Sequence, residues 1–529
     1  MTTEILTPPI RGRANKPDPR NTGAISRNAM ISTSHPLATA AGVAALRKGG
    51  SAVDAYLAAA AVQTVVEPTM TSLGGGLGIT VFDPSTGESR IAGGVGQLPA
   101  AEDGKLDADT RWTGRTVVPP GWVHGAHTAW TTWGKLDWAD VFDHAARWAR
   151  EGFIVDEQMW GGMFENRTVL GRYPAGRDVW CPDGRMVSVG DTLRQPALAL
   201  TMEQIGRHGP DYVYRGDFAR NYVEAARAAG GRITLEDMEA AQATSPAPTL
   251  VPRLPLADGR EVHTGGFMYA LLLNLAIVGG LASMAPPTED AHTLYLQMRI
   301  IEEAWHHLLG YVGSNVWEFK GIGELADAVS VETAQRLWSQ VESQPSRPFD
   351  SMNTNTNAIV VVDESGLVAH GTHSHSGTPF GVGLMVDGVM VPRPMYYFSD
   401  PLVAMPAGWS TSLLVVERGK PIFAAGSPSI SAVQCVFQTT MNVLSWGMEP
   451  GESACKPRFG ASHYPSQRPM IETSFGQPLI DELEQRGVGL SPVTPWEIEM
   501  GSCHAIHIDQ DGTLRGAADP RRLGQVTGI

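Results

Sequence analysis

Thr356 heads the run Thr356-Asn357-Ala358-Ile359-Val360-Val361-Val362, and a short turn later comes His370-Gly371-Thr372-His373-Ser374-His375-Ser376. A strand alternates its side chains, so Thr372, Ser374 and Ser376 share one face while His373 and His375 share the other. A row of hydroxyls beside a threonine can hydrogen-bond to it and orient it, which a hydroxyl nucleophile needs in addition to a base. Without that row, a threonine at a strand start is explained by β-propensity, and the residues alone leave both Thr354 and Thr356 open. His370 faces away from His373 and His375, and no carboxylate joins the three. They therefore read as surface or hydrogen-bonded histidines rather than metal ligands.

Other chemistries find little footing. No GxSxG elbow or P-loop is present. The stretch Ser72-Leu73-Gly74-Gly75-Gly76-Leu77-Gly78 stands between a helical pattern and a strand, the reverse of a dinucleotide site. Cys181, Cys435, Cys455 and Cys503 show neither CxxC nor zinc spacing and read as isolated thiols of a reducing compartment. No cofactor and no metal are expected.

The elements that must position these residues fall into two regions. Residues 36–66 give two Ala-rich helical patterns split at Gly49-Gly50, and further helices are expected in 138–152, 215–231 and 290–312. Past residue 350 the pattern turns to paired strands, with hairpins at Asp363-Glu364-Ser365-Gly366 and Arg418-Gly419-Lys420, then a helix from Ala432. Helices first and strands later imply an α+β layered fold. The Pro- and Ser-rich stretch from Val341 to Asn357 reads, on composition alone, as a linker.

The chain has 529 residues, 43% of them hydrophobic, enough to fill a large core. A formal charge of −15 without a basic stripe excludes nucleic acid as a natural partner. The first residues carry Pro, Arg and Asp where a leader needs an apolar run, and no stretch reaches the roughly 18 apolar residues of a membrane span. The expectation is a cytoplasmic protein without membrane contact, with residues 1–27 a disordered tail.

Several segments, in order from about residue 28 to 525, together resemble the γ-glutamyltransferase family: 33–78, 117–130, 356–383 and the tail Gly516-Ala517-Ala518-Asp519-Pro520-Arg521-Arg522-Leu523-Gly524. The resemblance implies an N-terminal nucleophile hydrolase, a four-layer αββα sandwich made as one chain that cuts itself before a threonine. The family's nucleophile lies seven residues before the hairpin aspartate; counted from Asp363 this is Thr356 rather than Thr354. Cleavage would then fall between Asn355 and Thr356, giving a large subunit 28–355 and a small subunit 356–529, and a dimer of such heterodimers is the assembly the resemblance allows. The new α-amine, titrating near about 7.7–8, could serve as the base for its own hydroxyl, whereas the uncut amide could not. Cleavage would create the base.

By the same resemblance Ser374 stands where a threonine supports the nucleophile, and Ser376 where an asparagine contacts substrate. The loop Gly426-Ser427-Pro428-Ser429-Ile430 matches an oxyanion loop, with Ser429 and Ile430 in place of paired glycines. Three departures bear on the substrate. Val95 occupies the position of the arginine that grips the glutamyl carboxylate, Tyr397 that of the aspartate that grips the α-amine, and Gly408-Trp409 that of a serine pair. Val95, Tyr396, Tyr397 and Trp409 would form an apolar and aromatic wall suited to a small, flat, non-glutamyl substrate. The reading placed first is hydrolysis of a carbon–carbon bond beside a carbonyl, as in relatives of 4-alkyl-L-proline antibiotic-precursor biosynthesis. The alternatives are a cephalosporin- or oxamate-type amidohydrolase, a true γ-glutamyl hydrolase or transferase, and a non-catalytic scaffold.

Overall fold

The computed structural model describes residues 22–103, 105–107, 109–243, 247–312, 322–347, 356–375, 377–394, 411–463 and 468–529. Two seven-stranded sheets face each other. The first runs Gln525–Gly528, Met30–Thr33, Thr356–Val362, Val368–Ser374, Gly76–Asp83, Glu88–Gly94 and Thr249–Leu250. The second runs Gly23–Ser26, Leu514–Ala518, His504–Ile508, Lys420–Gly426, Ser412–Glu417, Glu261–His263 and Arg253–Pro255.

Alternation along each strand sorts side chains into layers. From Thr356–Val362, Val360 and Val362 enter the space between the sheets, where they meet Leu414, Val416, Ala424 and Ile506. Ile359 and Val361 point the other way, into a core with the Ala-rich helices Pro36–Arg47 and Ala52–Val66. On the far side of the second sheet, Leu413, Val415 and Phe423 pack against the helices Phe267–Val278 and Ala432–Leu444. Helix, sheet, sheet, helix is the expected four-layer arrangement.

The Ala-rich helices lie flat on the first sheet because small side chains permit close approach, and their boundary is chemically fixed. Ser51 and Asp54 form a reciprocal capping box just after Gly49-Gly50. The hairpin at 363–366 also forms as read: Asp363 caps its own turn, accepting from the N–H of Ser365 and of Leu367.

Three expectations are corrected. Residues Gly23–Ser26, placed in the tail, form an edge strand paired with Leu514–Ala518. Its partner lies almost 500 residues away, so nothing local announced it. The sheets are also not a property of the C-terminal region alone, since both recruit strands from the first 263 residues. Cys435 and Cys503, distant in sequence, are neighbours within hydrogen-bonding reach in the core, so these two thiols are not isolated from each other. Among the described residues no helix is long and apolar enough to cross a membrane.

Candidate active site

Thr356 is the first residue of its strand and pairs directly with Ser374, the last of the next. Both side chains point between the sheets, on the side of Val360 and Val362. Thr356 Oγ1 donates to Ser374 Oγ at 3.0 Å, and Thr356 is only 7% exposed. The glycine stretch after residue 72 closes around this pair: a Cβ on Gly75 would stand 2.1 Å from the Ser374 carbonyl oxygen. These glycines therefore serve close backbone packing.

Gly426 ends the facing strand, and a Cβ there would approach the Cβ of Ala358 to 3.2 Å. The loop Gly426–Ser431 thus leaves the second sheet at the Thr356 end of the sandwich. Within it, the Ser427 N–H is already committed to the Thr411 carbonyl at 2.9 Å. Among the described residues the N–H groups of Ser429 and Ile430 meet no acceptor. Ser429 adopts φ 88°, a left-handed conformation usual for glycine, and its Oγ donates to the Glu499 carbonyl at 2.7 Å. The Ile430 side chain is buried against Ala461, Met470 and Met500.

Val95 follows directly on the strand Glu88–Gly94 and is 50% exposed. The register Thr356 with Ser374, Ser374 with Gly76, and Leu77 with Gly94 carries the same cross-strand row on to Val95. Three strand spacings put it about 14 Å from Thr356. Asn355, Ser376, Tyr396, Tyr397 and Trp409 lie outside the described residues. Upstream of Thr356, Ser346 Oγ donates to Glu302 at 2.7 Å and Arg347 pairs with Glu303 at 2.5 Å. These carboxylates belong to the helix Ala291–Val312, where both also bind the buried Arg299.

The histidines are buried rather than at the surface, and among the described residues no group of ligands could hold a metal. Burial holds His373 neutral, with a pKa of about 3, and His375 neutral, at about 4. Trp122 Nε1 donates to His373 Nδ1 at 3.3 Å, so the proton sits on Nε2, which donates to Gln63 Oε1 at 2.6 Å. His375 Nε2 donates to the Pro68 carbonyl at 2.8 Å. His370 points between the sheets with neither ring nitrogen partnered among the described residues.

Sequence reading missed one group here. Glu67, just past the helix Ala52–Val66, accepts from Asn357 Nδ2 at 3.1 Å and from Ser34 Oγ at 2.7 Å. Burial lifts its pKa to about 7, against the opposing pull of Ser34 and Arg522. The signal available was an acid closing an otherwise apolar and alanine-rich helix.

The Gamma-glutamyltranspeptidase family model matches residues 38–529. The chain belongs to that family. It is 26% identical over 576 aligned positions to a glutathione hydrolase proenzyme of Bacillus subtilis (strain 168), covering 98% of this chain and 95% of the relative. Its fold is that of a cephalosporin acylase from Bacillus halodurans, with TM-score 0.78, 21% identity and coverage of 100% of this chain and 99% of the other. The structure named LmbA2991HD shares the fold equally, with TM-score 0.78, 20% identity and coverage of 98% and 100%. This γ-glutamyltranspeptidase-family chain is thus a hydrolase of the N-terminal nucleophile type.

Proposed function

We propose that the chain cuts itself between Asn355 and Thr356, and that Thr356 then attacks a carbonyl of a small non-glutamyl substrate. The observation that carries this is the buried Thr356–Ser374 hydrogen bond at the end of the sandwich, beside the Gly426 loop. In the reaction the Thr356 hydroxyl adds to the carbonyl carbon while its own α-amine takes the proton. The Ser429 and Ile430 N–H groups are the donors suited to the oxyanion. Collapse expels the leaving group, which takes the proton back, and water releases the acyl group from Thr356.

Loss of γ-glutamyl recognition is supported by Val95, an apolar, half-exposed side chain on the row that begins at Thr356, where the family carries an arginine. A substrate carboxylate would find no cation at that position. Of the non-glutamyl substrates, we favour one cleaved at a carbon–carbon bond next to a carbonyl, as in 4-alkyl-L-proline-type precursor biosynthesis, with LmbA2991HD as the structural neighbour to compare. The second reading is amide hydrolysis, favoured by the fold shared with a cephalosporin acylase.

Gel electrophoresis and intact-mass measurement of the purified protein test the first step. Two associated fragments, the smaller beginning at Thr356, are expected, and Thr356→Ala is expected to leave one uncut chain. An uncut, stable wild-type chain would refute self-processing. Processed protein should turn over γ-glutamyl-p-nitroanilide negligibly, and robust turnover would refute the reading of Val95.

A further inference from the structure

Behind the Thr356–Ser374 pair, on the helix side of the sheet, lies a continuous hydrogen-bonded network. Asn357 and His373, the strand neighbours of Thr356 and Ser374, are themselves a cross-strand pair. From His373 the chain of donors runs through Gln63, whose Nε2 donates to Ser34 Oγ at 2.6 Å, and on to Glu67 at 2.7 Å. Asn357 reaches the same Glu67 oxygen at 3.1 Å. The Asn357 amide and the Ser34 hydroxyl converge on Glu67, the Ser34 hydroxyl lying also 3.2 Å from Asn357 Oδ1, and burial leaves the network's other titratable member, His373, neutral.

We propose that Glu67 is a positioning residue for Thr356, holding from behind the two strand ends that carry Thr356 and Ser374, and that its charge enters the pH dependence of acylation. The inference rests on Thr356 being the nucleophile. As a carboxylate, Glu67 accepts charge-assisted hydrogen bonds from Asn357 and Ser34, which fix both strands more firmly than the neutral acid can. Its surroundings let that state change within the working range. Arg522 faces it and favours the charge, whereas Asp156 opposes it. His35, neutral at about 4, lines with Ser34, Asp156 and Gln158 the narrow cleft on which Glu67 opens, a route for proton exchange. Burial brings the carboxyl to about 7, below the usual range of a terminal amine.

Two ionisations then govern the acid limb, that of Glu67 and that of the Thr356 amine. The probe is p-nitrophenyl acetate with the processed protein, following the acylation rate from pH 5 to 9 and the acetyl adduct on the small subunit by mass. For the wild type the logarithm of the rate should rise with a slope approaching about 2 on the acid limb, and Glu67→Gln should reduce it to about 1 while leaving the amine inflection in place. Identical limbs in the two proteins would overturn the proposal. Should Glu67→Gln fail to fold, Ser34→Ala removes a donor that stabilises the carboxylate, so the lower inflection must move to higher pH; an unmoved inflection again overturns it. Thr356→Ala separates the two claims. Acylation persisting in that variant would refute the nucleophile assignment, whereas an inert Thr356→Ala with unchanged Glu67→Gln slopes would refute the role of Glu67 alone.

Discussion

At the scale of single residues, the Thr356 hydroxyl donates to Ser374 Oγ, its one hydrogen bond among the described residues. An orienting bond between neutral hydroxyls contributes about 1 kcal/mol, so Ser374→Ala is expected to slow acylation by Thr356 roughly fivefold without changing the fold, read as a drop in kcat with an unaltered melting curve. Ser374→Thr, which keeps the hydroxyl, should recover most of the rate. Strand alternation and the short hairpin at Asp363 made the hydroxyl row of Thr372, Ser374 and Ser376 legible, whereas the choice of Thr356 over Thr354, and of Ser374 as its support, came from the family resemblance. Glu67 was not legible, because its reason for being buried is Asn357, 290 residues away. A carboxylic acid at a helix end reads as solvated until the strand beneath it is known.

At the scale of elements, the loop leaving Lys420–Gly426 is held by strain and by hydrogen bonds together. Ser429 sits at φ 88°, and such a conformation costs a non-glycine residue of order 1 kcal/mol. Its Oγ bond to the Glu499 carbonyl offsets that cost. Ser429→Ala keeps the strain and loses the bond, whereas Ser429→Gly loses both. Denaturant unfolding should therefore rank Ser429→Ala below Ser429→Gly by about 1 kcal/mol. A reversed order would show that the side chain, not the backbone, sets this loop. The hairpin before it was readable from Arg418-Gly419, both with positive φ as a tight two-residue turn requires. The loop's place opposite Ala358 was not, since it depends on how one sheet lies on the other.

At the scale of the whole molecule, the strand order decides what a cut at residue 356 would do. In the first sheet Thr356–Val362 lies between Met30–Thr33 and Val368–Ser374, and the latter pairs onward with Gly76–Asp83. Segments from either side of the junction alternate in one hydrogen-bonded sheet, and both contribute to the core between the sheets. The two fragments are accordingly expected to co-elute in native size-exclusion chromatography and to part only in denaturant. Separation under native conditions would contradict the interleaving. Hydrophobic periodicity foretold the layers but not this order, because periodicity says which face is buried and not which strand is the neighbour.

The pairing of Met30–Thr33 with both Thr356–Val362 and Gln525–Gly528 has a consequence in time. The strand that flanks the Thr356 strand is itself paired by Gln525–Gly528, and the Gly23–Ser26 edge likewise waits for Leu514–Ala518. A nascent chain that has passed residue 356 still lacks these partners, so Thr356–Val362 has no completed sheet to join. Self-cleavage would then act as a completion check made by the molecule on itself. Only a chain that has already supplied residues 514–528 can build the two sheets that enclose Thr356.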